Sequence, residues 1–502
     1  MKKKFLLVLL ALTICTALCA CGGGSEDKKS EGEDSIVVGI QQDLDSLDPH
    51  LATAAGTKEV LFNIYEGLVK PNENGELIPA VASDYKVSSD GLVYTFNLRE
   101  GVKFHNGEVV TAEDVKYSIE RNAGLLEGGE LIISAFDVIE SVNIVDPSTV
   151  EVVLSESDTE LICYMTVAIV PKDYTDLATT PVGTGPFKFV SYSPAQSFVI
   201  EKNEAYYGQI PELREVTFKV VTDSATAVLE LQAGSIDIYP YMTADQAAQL
   251  NPADYDILYG NMNLVQALYL NNAVEPFDNV LVRQAMYYAV DRQQILDAVA
   301  DGKGTILGSC MYSGYGRYYN EDTVDLYSCD LERAKELLAE AGYENGFEFT
   351  VRVPSNYQFH MNTALVIKDQ LSRVGITMNI EGIEWATWLS DVYQNREFEA
   401  TIIGIDSNLA PKDIMRRYVS YNSKNMVNYS NARYDELFET AIATTDDALK
   451  IECYQEMQQI IAEEAGSIFL QDTAQIVAVS NKLEGYTFYP LYVQDMSKVK
   501  FK

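Results

Sequence analysis

Short β-branched runs alternate with capped, amphipathic helical stretches along almost the whole chain, and that alternation restricts it to mixed α/β architectures. Residues 36–40 read as a buried strand. Asp90-Gly91 reads as a turn before the alternating residues 92–98. Thr111-Ala112-Glu113-Asp114 has the form of a capping box and predicts a helix to about Arg121. Residues 142–145 and 150–154 flank Asp146-Pro147-Ser148 as a hairpin, and Asp223 caps a helix that stops at Gly234 before a strand at 236–238. Further on, helices are predicted over 279–290 and 291–300, and Asp330 caps residues 331–341 with Gly342 at the C′ position. Strands at 347–353 and 376–380 flank a helix of about 359–372, and residues 400–405 form another buried strand. A long helix near 446–465 precedes two short strands, 468–470 and 475–479.

The leader fixes the compartment. Met1-Lys2-Lys3-Lys4 is basic, residues 5–17 are almost wholly apolar yet too short for a permanent membrane helix, and Leu18-Cys19-Ala20-Cys21 follows. A signal peptide over residues 1–20 is expected. The small residue before Cys21 resembles the bacterial lipobox, in which the thiol takes a diacylglycerol and becomes residue one. The plain alternative is an ordinary cleaved signal with Cys21 beside the cut. Residues 21–35, rich in Gly, Ser, Glu and Lys, read as a flexible lipidated tether. Two or three acyl chains, at about 0.8 kcal/mol per buried methylene, hold far more firmly than one. The expected location is the extracytoplasmic face of the cell membrane.

Of the 502 residues, 482 remain after the leader, enough for two or three domains. The formal charge of −37 becomes −40, because the leader removes three Lys and no acid. Such a surface repels nucleic acid and anionic headgroups, so nucleic acid is not an expected partner and membrane contact is expected through the anchor alone. Cys310 and Cys329 bracket a Gly/Tyr/Asn/Asp-rich loop that a disulfide could close; reduced thiols acting as small hydrophobes are the alternative. His50, His105 and His360 are the only imidazoles, and no HExxH, CxxC or G-x-S-x-G pattern joins them or any Ser. Gly183-Thr184-Gly185-Pro186 lacks the Lys of a phosphate loop. No enzyme activity, metal site or cofactor is expected.

Ordered motifs run through nearly the whole mature chain: Leu47-Asp48-Pro49-His50, Tyr65-Glu66-Gly67-Leu68, the block from Asp90-Gly91 through Arg99 to Gly101-Val102-Lys103-Phe104-His105-Asn106-Gly107, and Thr111-Ala112-Glu113-Asp114-Val115. Then come Gly183-Thr184-Gly185-Pro186-Phe187, Lys202-Asn203 with Tyr206-Tyr207, Val282-Arg283-Gln284-Ala285 with Ala289-Val290-Asp291-Arg292, and Ala334-Lys335 with Ala341-Gly342-Tyr343. In this set and order the chain resembles the extracellular solute-binding proteins of peptide-type ABC transporters (family 5), which include dipeptide, oligopeptide and nickel-complex binders. The resemblance implies an α/β, two-lobed periplasmic-binding-protein-like fold (class II, cluster C) with an extra domain inserted in lobe I. Lobe I would comprise residues 36–65, 182–271 and 480–502, the inserted domain 66–181, and lobe II 272–479, with hinge crossovers near 271 and 480. It also implies a monomer that captures a peptide or other small solute and hands it to ABC permease and ATPase subunits. An oligosaccharide or metal-chelate ligand on the same fold, or a surface sensor without transport, are the alternatives.

A free peptide needs a buried anion for its α-ammonium group. Asp406, at the end of the 400–405 run, is the candidate, since ligand groups cluster where strands of α/β lobes end. The family's peptide binders carry an Asp shortly before a Pro; here Asp406-Ser407-Asn408-Leu409-Ala410-Pro411 is one residue longer, and a self-bonded turn Asp is the other reading. Ala55, Gly56 and Thr57, with Ala54, match a family loop that meets the ligand backbone, or a helix start with small residues chosen for packing. Tyr357 lies in Ser355-Asn356-Tyr357-Gln358, where dipeptide binders place an Arg and this chain has none, which favours longer ligands. A Trp at the cleft could stack on a ligand, and Trp385 is the candidate; the plain alternative places one Trp in the core and one on the surface of lobe II, which is the reading for Trp388. Replacing Cys21 with Ser should leave an unlipidated precursor or release the protein into the medium; continued detergent-phase partitioning would show that something else anchors it.

Overall fold

The computed structural model describes residues 34–406 and 408–502, so the expected signal peptide, Cys21 and the tether up to residue 33 lie outside the described residues. Strand β1 (Ser35–Ile40) is followed by six strands that do not join it: β2 (Val69–Pro71), β3 (Leu77–Pro79), β4 (Ala82–Val87), β5 (Val93–Leu98), β6 (Ile139–Asp146) and β7 (Thr149–Leu154). The chain then returns through β8 (Phe187–Ser193), β9 (Ser197–Lys202), β10 (Glu215–Val220), β11 (Ile238–Met242) and β12 (Tyr255–Asn261). It continues as β13 (Leu264–Leu270), β14 (Gly304–Ile306), β15 (Glu348–Pro354), β16 (Thr377–Ile383), β17 (Ala400–Asp406) and β18 (Ile468–Ser480). The main sheet runs in the order β16-β15-β17-β13-β18-β11-β1-β10-β9-β8, with β12 and β14 also on β18.

β1 lies parallel to β10 over its full length, Ser35 opposite Glu215 and Ile40 opposite Val220. β15 is parallel to both β16 and β17, and β17 is antiparallel to β13. Helices cover these strands, and β17 is accordingly buried on both faces except at its last residue. β4-β5-β7-β6 form a separate antiparallel sheet. Tyr94, Phe96, Val150 and Val152 of that sheet share a core with Val115 and Ile119 of the helix Ala112–Asn122.

The local signals act as their chemistry requires. Both bonds of the Thr111–Asp114 capping box form, Asp330 accepts from the amides of Glu332 and Arg333, and Gly342 takes the positive φ of 86° that ends the helix Leu331–Glu340. Several motif residues are spent on joining segments. Glu66 accepts from Lys70 Nζ (2.8 Å), the Tyr206 hydroxyl (2.7 Å) and the Thr184 hydroxyl (3.2 Å). His50 Nε2 lies 2.8 Å from the Ala168 carbonyl and His105 Nε2 lies 3.1 Å from that of Gly185; burial holds both imidazoles down near 4.

One expectation changes. Residues 468–480 form one strand where the sequence reads two. The polar Gln471-Asp472-Thr473 looks like a break, yet these side chains are buried within the sheet, and Gln471 donates to Gln266 at 2.7 Å. The same strand exchanges partners along its length. β18 pairs with β13 through residues 468–471 and with β12 from 474 to 480, and the chain leaves β12 for β13 at residues 262–263. The Met262 amide donates to the Thr473 carbonyl (2.9 Å) and that of Leu264 to Asp472 Oδ1 (3.3 Å).

Cys310 and Cys329 are not bonded. Cys310 is buried with its sulfur 3.4 Å from that of Met415, Cys329 is exposed just before the Asp330 cap, and all four described cysteines are free thiols. The described residues hold no helix long and apolar enough to cross a membrane.

Burial pushes the Asp472 carboxyl from its ordinary 3.8 up to about 7, against the amides of Leu264, Asn263 and Met262, which favour the charged form. A folded pKa above the unfolded one stabilises below the unfolded value, and that contribution is lost as pH rises through about 7. Asp472→Asn should therefore remove part of the fall in urea-unfolding free energy between acidic and neutral pH, on the order of 2–3 kcal/mol. An unchanged pH slope would mean that Asp472 is already ionised at acidic pH.

Candidate functional site

Three parallel strands, β16, β15 and β17, end on the same edge, and the residues that follow or finish them are Trp385, Tyr357 and Asp406. C-terminal strand edges are where α/β sheets place ligands. Asp406 is opposite Leu264 of β13. It is exposed, and its carboxylate makes no hydrogen bond or ion pair among the described residues. Tyr357 and Trp385 are 42% and 37% exposed and meet edge-on at 5.4 Å. Trp385 stacks on Trp388 at 5.1 Å, while Trp388 itself is buried and donates from Nε1 to the Thr401 hydroxyl (2.9 Å). Trp388 thus packs in the core and Trp385 lies at the surface.

The helix Ala55–Leu61 follows the C-terminal end of β1. Ala55 is exposed, and Gly56 sits so close to Gln42 that a Cβ there would lie 2.6 Å from its Nε2. Thr57 is wholly buried and its hydroxyl accepts the Asp45 amide (3.0 Å), so its side chain holds the loop. One turn on, Glu59 is buried against the Tyr241 hydroxyl, and burial, opposed by Tyr241 and Gln494, pushes its carboxyl up to about 7.

Tyr492 lies in the C-terminal segment. Burial raises its phenol above the ordinary range, and the charges of Asp406, Glu59 and Asp472 raise it further. Asp406 also acts on Tyr312. Asp406, the helix Ala55–Leu61 and the strand exchange at Asp472 thus border one region. Sequence reasoning missed Glu59, Tyr241, Tyr312 and Tyr492. None lies in a chemical motif, and the positive φ of Tyr241 (62°), a strained value for a bulky residue, leaves no trace in composition.

Among the described residues no group of three or more His, Cys, Asp or Glu is placed to hold a metal ion. His360 is buried, its Nδ1 2.8 Å from Gln266 and its Nε2 3.2 Å from the Gly404 amide. The arrangement offers a carboxylate unpaired among the described residues, exposed aromatic faces and a helix start.

The model of the bacterial extracellular solute-binding proteins, family 5, matches residues 76–426. The chain is similar over 98% of its length to heme-binding protein A of Haemophilus influenzae, at 28% identity and 97% of that protein. It is 27% identical to the oligopeptide-binding protein AppA of Bacillus subtilis, covering 97% of each chain. The solved structure of AppA with a nonapeptide matches at a TM-score of 0.73 and 26% identity, covering 93% of this chain and 99% of that one. HbpA2 of Haemophilus parasuis matches at a TM-score of 0.85 and 26% identity, over 93% of this chain and all of the other. The fold is therefore the two-lobed one of periplasmic binding proteins, and the chain belongs to the bacterial extracellular solute-binding proteins of family 5, the peptide-type family of ABC transporters.

Proposed function

We propose that the protein is the lipid-anchored, extracytoplasmic substrate-binding component of an ABC importer. It captures oligopeptides as a monomer and delivers them to the permease and ATPase subunits. The observation that carries the peptide reading is the Asp406 carboxylate, unpaired among the described residues at a strand edge where ligands bind. A peptide's α-ammonium group is the counter-charge it lacks. The main chain at Ala55 and Gly56 meets the peptide backbone from the facing lobe, and Tyr357 and Trp385 offer apolar faces to its side chains. The absence of Arg from Ser355–Gln358 leaves a short ligand's carboxylate without a clamp, which favours longer peptides. Its relative AppA, solved with a nonapeptide, supports that preference.

The proposed lobes keep residues 66–181 as the inserted domain and take the strand exchange at 262–263 and 472–473 as the hinge. Binding is then closure of two lobes over the ligand, with no covalent step. A metal chelate with a planar ring is the second reading, favoured by the exposed Tyr357–Trp385 face and by the kinship with heme-binding protein A.

Calorimetry with free and N-acetylated oligopeptides separates them. Once the lobes close and exclude water, Asp406→Ala leaves the ammonium buried and unpaired, at a cost of about 3–5 kcal/mol, roughly a hundred- to several-thousand-fold in affinity. The wild type should reject acetylated peptides for the same reason. Equal binding of both would reduce Asp406 to a turn residue and favour the chelate.

A further inference from the structure

We propose that the protein holds a second small ligand, a monocyclic aromatic monocarboxylate, in a cavity away from the Asp406 site. The cavity lies between the β2–β3 hairpin, the residue after β5, the loop after β9 and the C-terminal segment. Its volume is about 340 Å³. An apolar cavity of about 150 Å³ already admits benzene, so one ring with a carboxyl group has room here. Phe62, Tyr206, Tyr207 and Tyr489 supply aromatic wall. Phe62 meets Tyr489 edge-on at 5.7 Å, and the Tyr206 and Tyr207 rings lie 4.9 Å apart. None of the residues proposed to meet the captured solute lines this cavity.

The charges of the wall decide what the ring must carry. Lys70 pairs with Glu66 at 2.8 Å and Lys498 with Glu73 at 2.7 Å. Asp495 has three donors, the Tyr489 hydroxyl (2.6 Å) and the amide and hydroxyl of Ser497 (2.8 and 2.6 Å). Arg99 is left over. Its Nε donates to the Ala80 carbonyl (3.2 Å) and its guanidinium lies 5.2 Å above the Tyr207 ring. Its two terminal nitrogens have no partner among the described residues, and neither is buried, so a ligand can reach them.

The same wall excludes other charge types. Lys70, Arg99 and Lys498 already lie over the rings of Tyr206, Tyr207 and Tyr489, at 5.6, 5.2 and 5.6 Å. A cationic ligand would meet like charge on those rings. A phosphate or a dicarboxylate would bring a second negative charge beside Glu66, Glu73 and Asp495, with no cation left to pair it. One carboxylate matches the forked terminal nitrogens of Arg99, and its ring packs on the aromatic wall.

Fluorine NMR of 4-fluorobenzoate with the mature protein gives the test. Saturable binding is expected with a Kd of about 1 mM or tighter. Arg99→Gln should weaken it by roughly ten- to a hundred-fold, and 4-fluorobenzamide, the same ring without the charge, should lose as much on the wild type. Ile78→Trp, at a wall position 37% exposed and therefore tolerant of a larger side chain, should block the cavity while the circular dichroism stays that of the wild type. Asp406→Ala should bind the probe as the wild type does. No saturable binding, equal binding of the amide, or wild-type affinity in Arg99→Gln or in Ile78→Trp would overturn the proposal. Loss of binding in Asp406→Ala would also overturn it, by placing the probe in the solute site. No peptide is needed for any readout, so the result is independent of the transport reading.

Discussion

Asp472 lies wholly buried where β13 and β18 exchange partners, and its Oδ1 accepts the Leu264 amide at 3.3 Å. An extended strand ordinarily keeps one set of neighbours. Here β18 serves β13 through its first residues, β14 through its middle and β11 and β12 through its last, and the amides of the link between β12 and β13 still need acceptors. A carboxyl with its amide donors meets that need at the cost of a strongly disfavoured charge. Gln471 and Gln266 extend the buried polar chain to Thr363 and His360.

A second contact holds the Asp406 loop from the far side. Residues 158–164, which follow β7, reach residues 408–454. Lys412 pairs with Asp158 through its ammonium and donates its amide to Glu160 (2.9 Å), and Lys450 donates to the Thr159 hydroxyl (2.6 Å). Glu160 also receives the Tyr454 hydroxyl, and burial pushes its carboxyl up against the pull of Lys450. Buried pairs of this kind add little net stability, but losing one partner is costly, so they fix one arrangement of the loop.

Much of the fold was legible because its signals are local. Thr111, Asp223, Asp291 and Asp330 each cap the helix they were read to start, since a short oxygen-bearing side chain before an apolar stretch has few other uses. β17 and its terminal Asp406 were legible for the same reason. What escaped depends on distant partners. The polar centre of β18 reads as a loop until Gln266 and Leu264 are placed opposite it. Thr57 looks available until Asp45 claims its hydroxyl. Tyr492 has no role until Asp406 and Glu59, far apart in sequence, face it. The Cys310–Cys329 spacing suits a loop closure, but Cys310 packs on Met415 and the thiols stay apart.

The central claim is that the junction at Asp472 is a hinge and that the lobes close over a solute held between Asp406 and the helix Ala55–Leu61. Small-angle X-ray scattering of the mature protein, with and without a peptide mixture whose binding is confirmed by native mass spectrometry, tests it most directly. The account predicts a smaller radius of gyration and a shorter maximum dimension when peptide is bound. Superimposable scattering curves for the free and the loaded protein would contradict it.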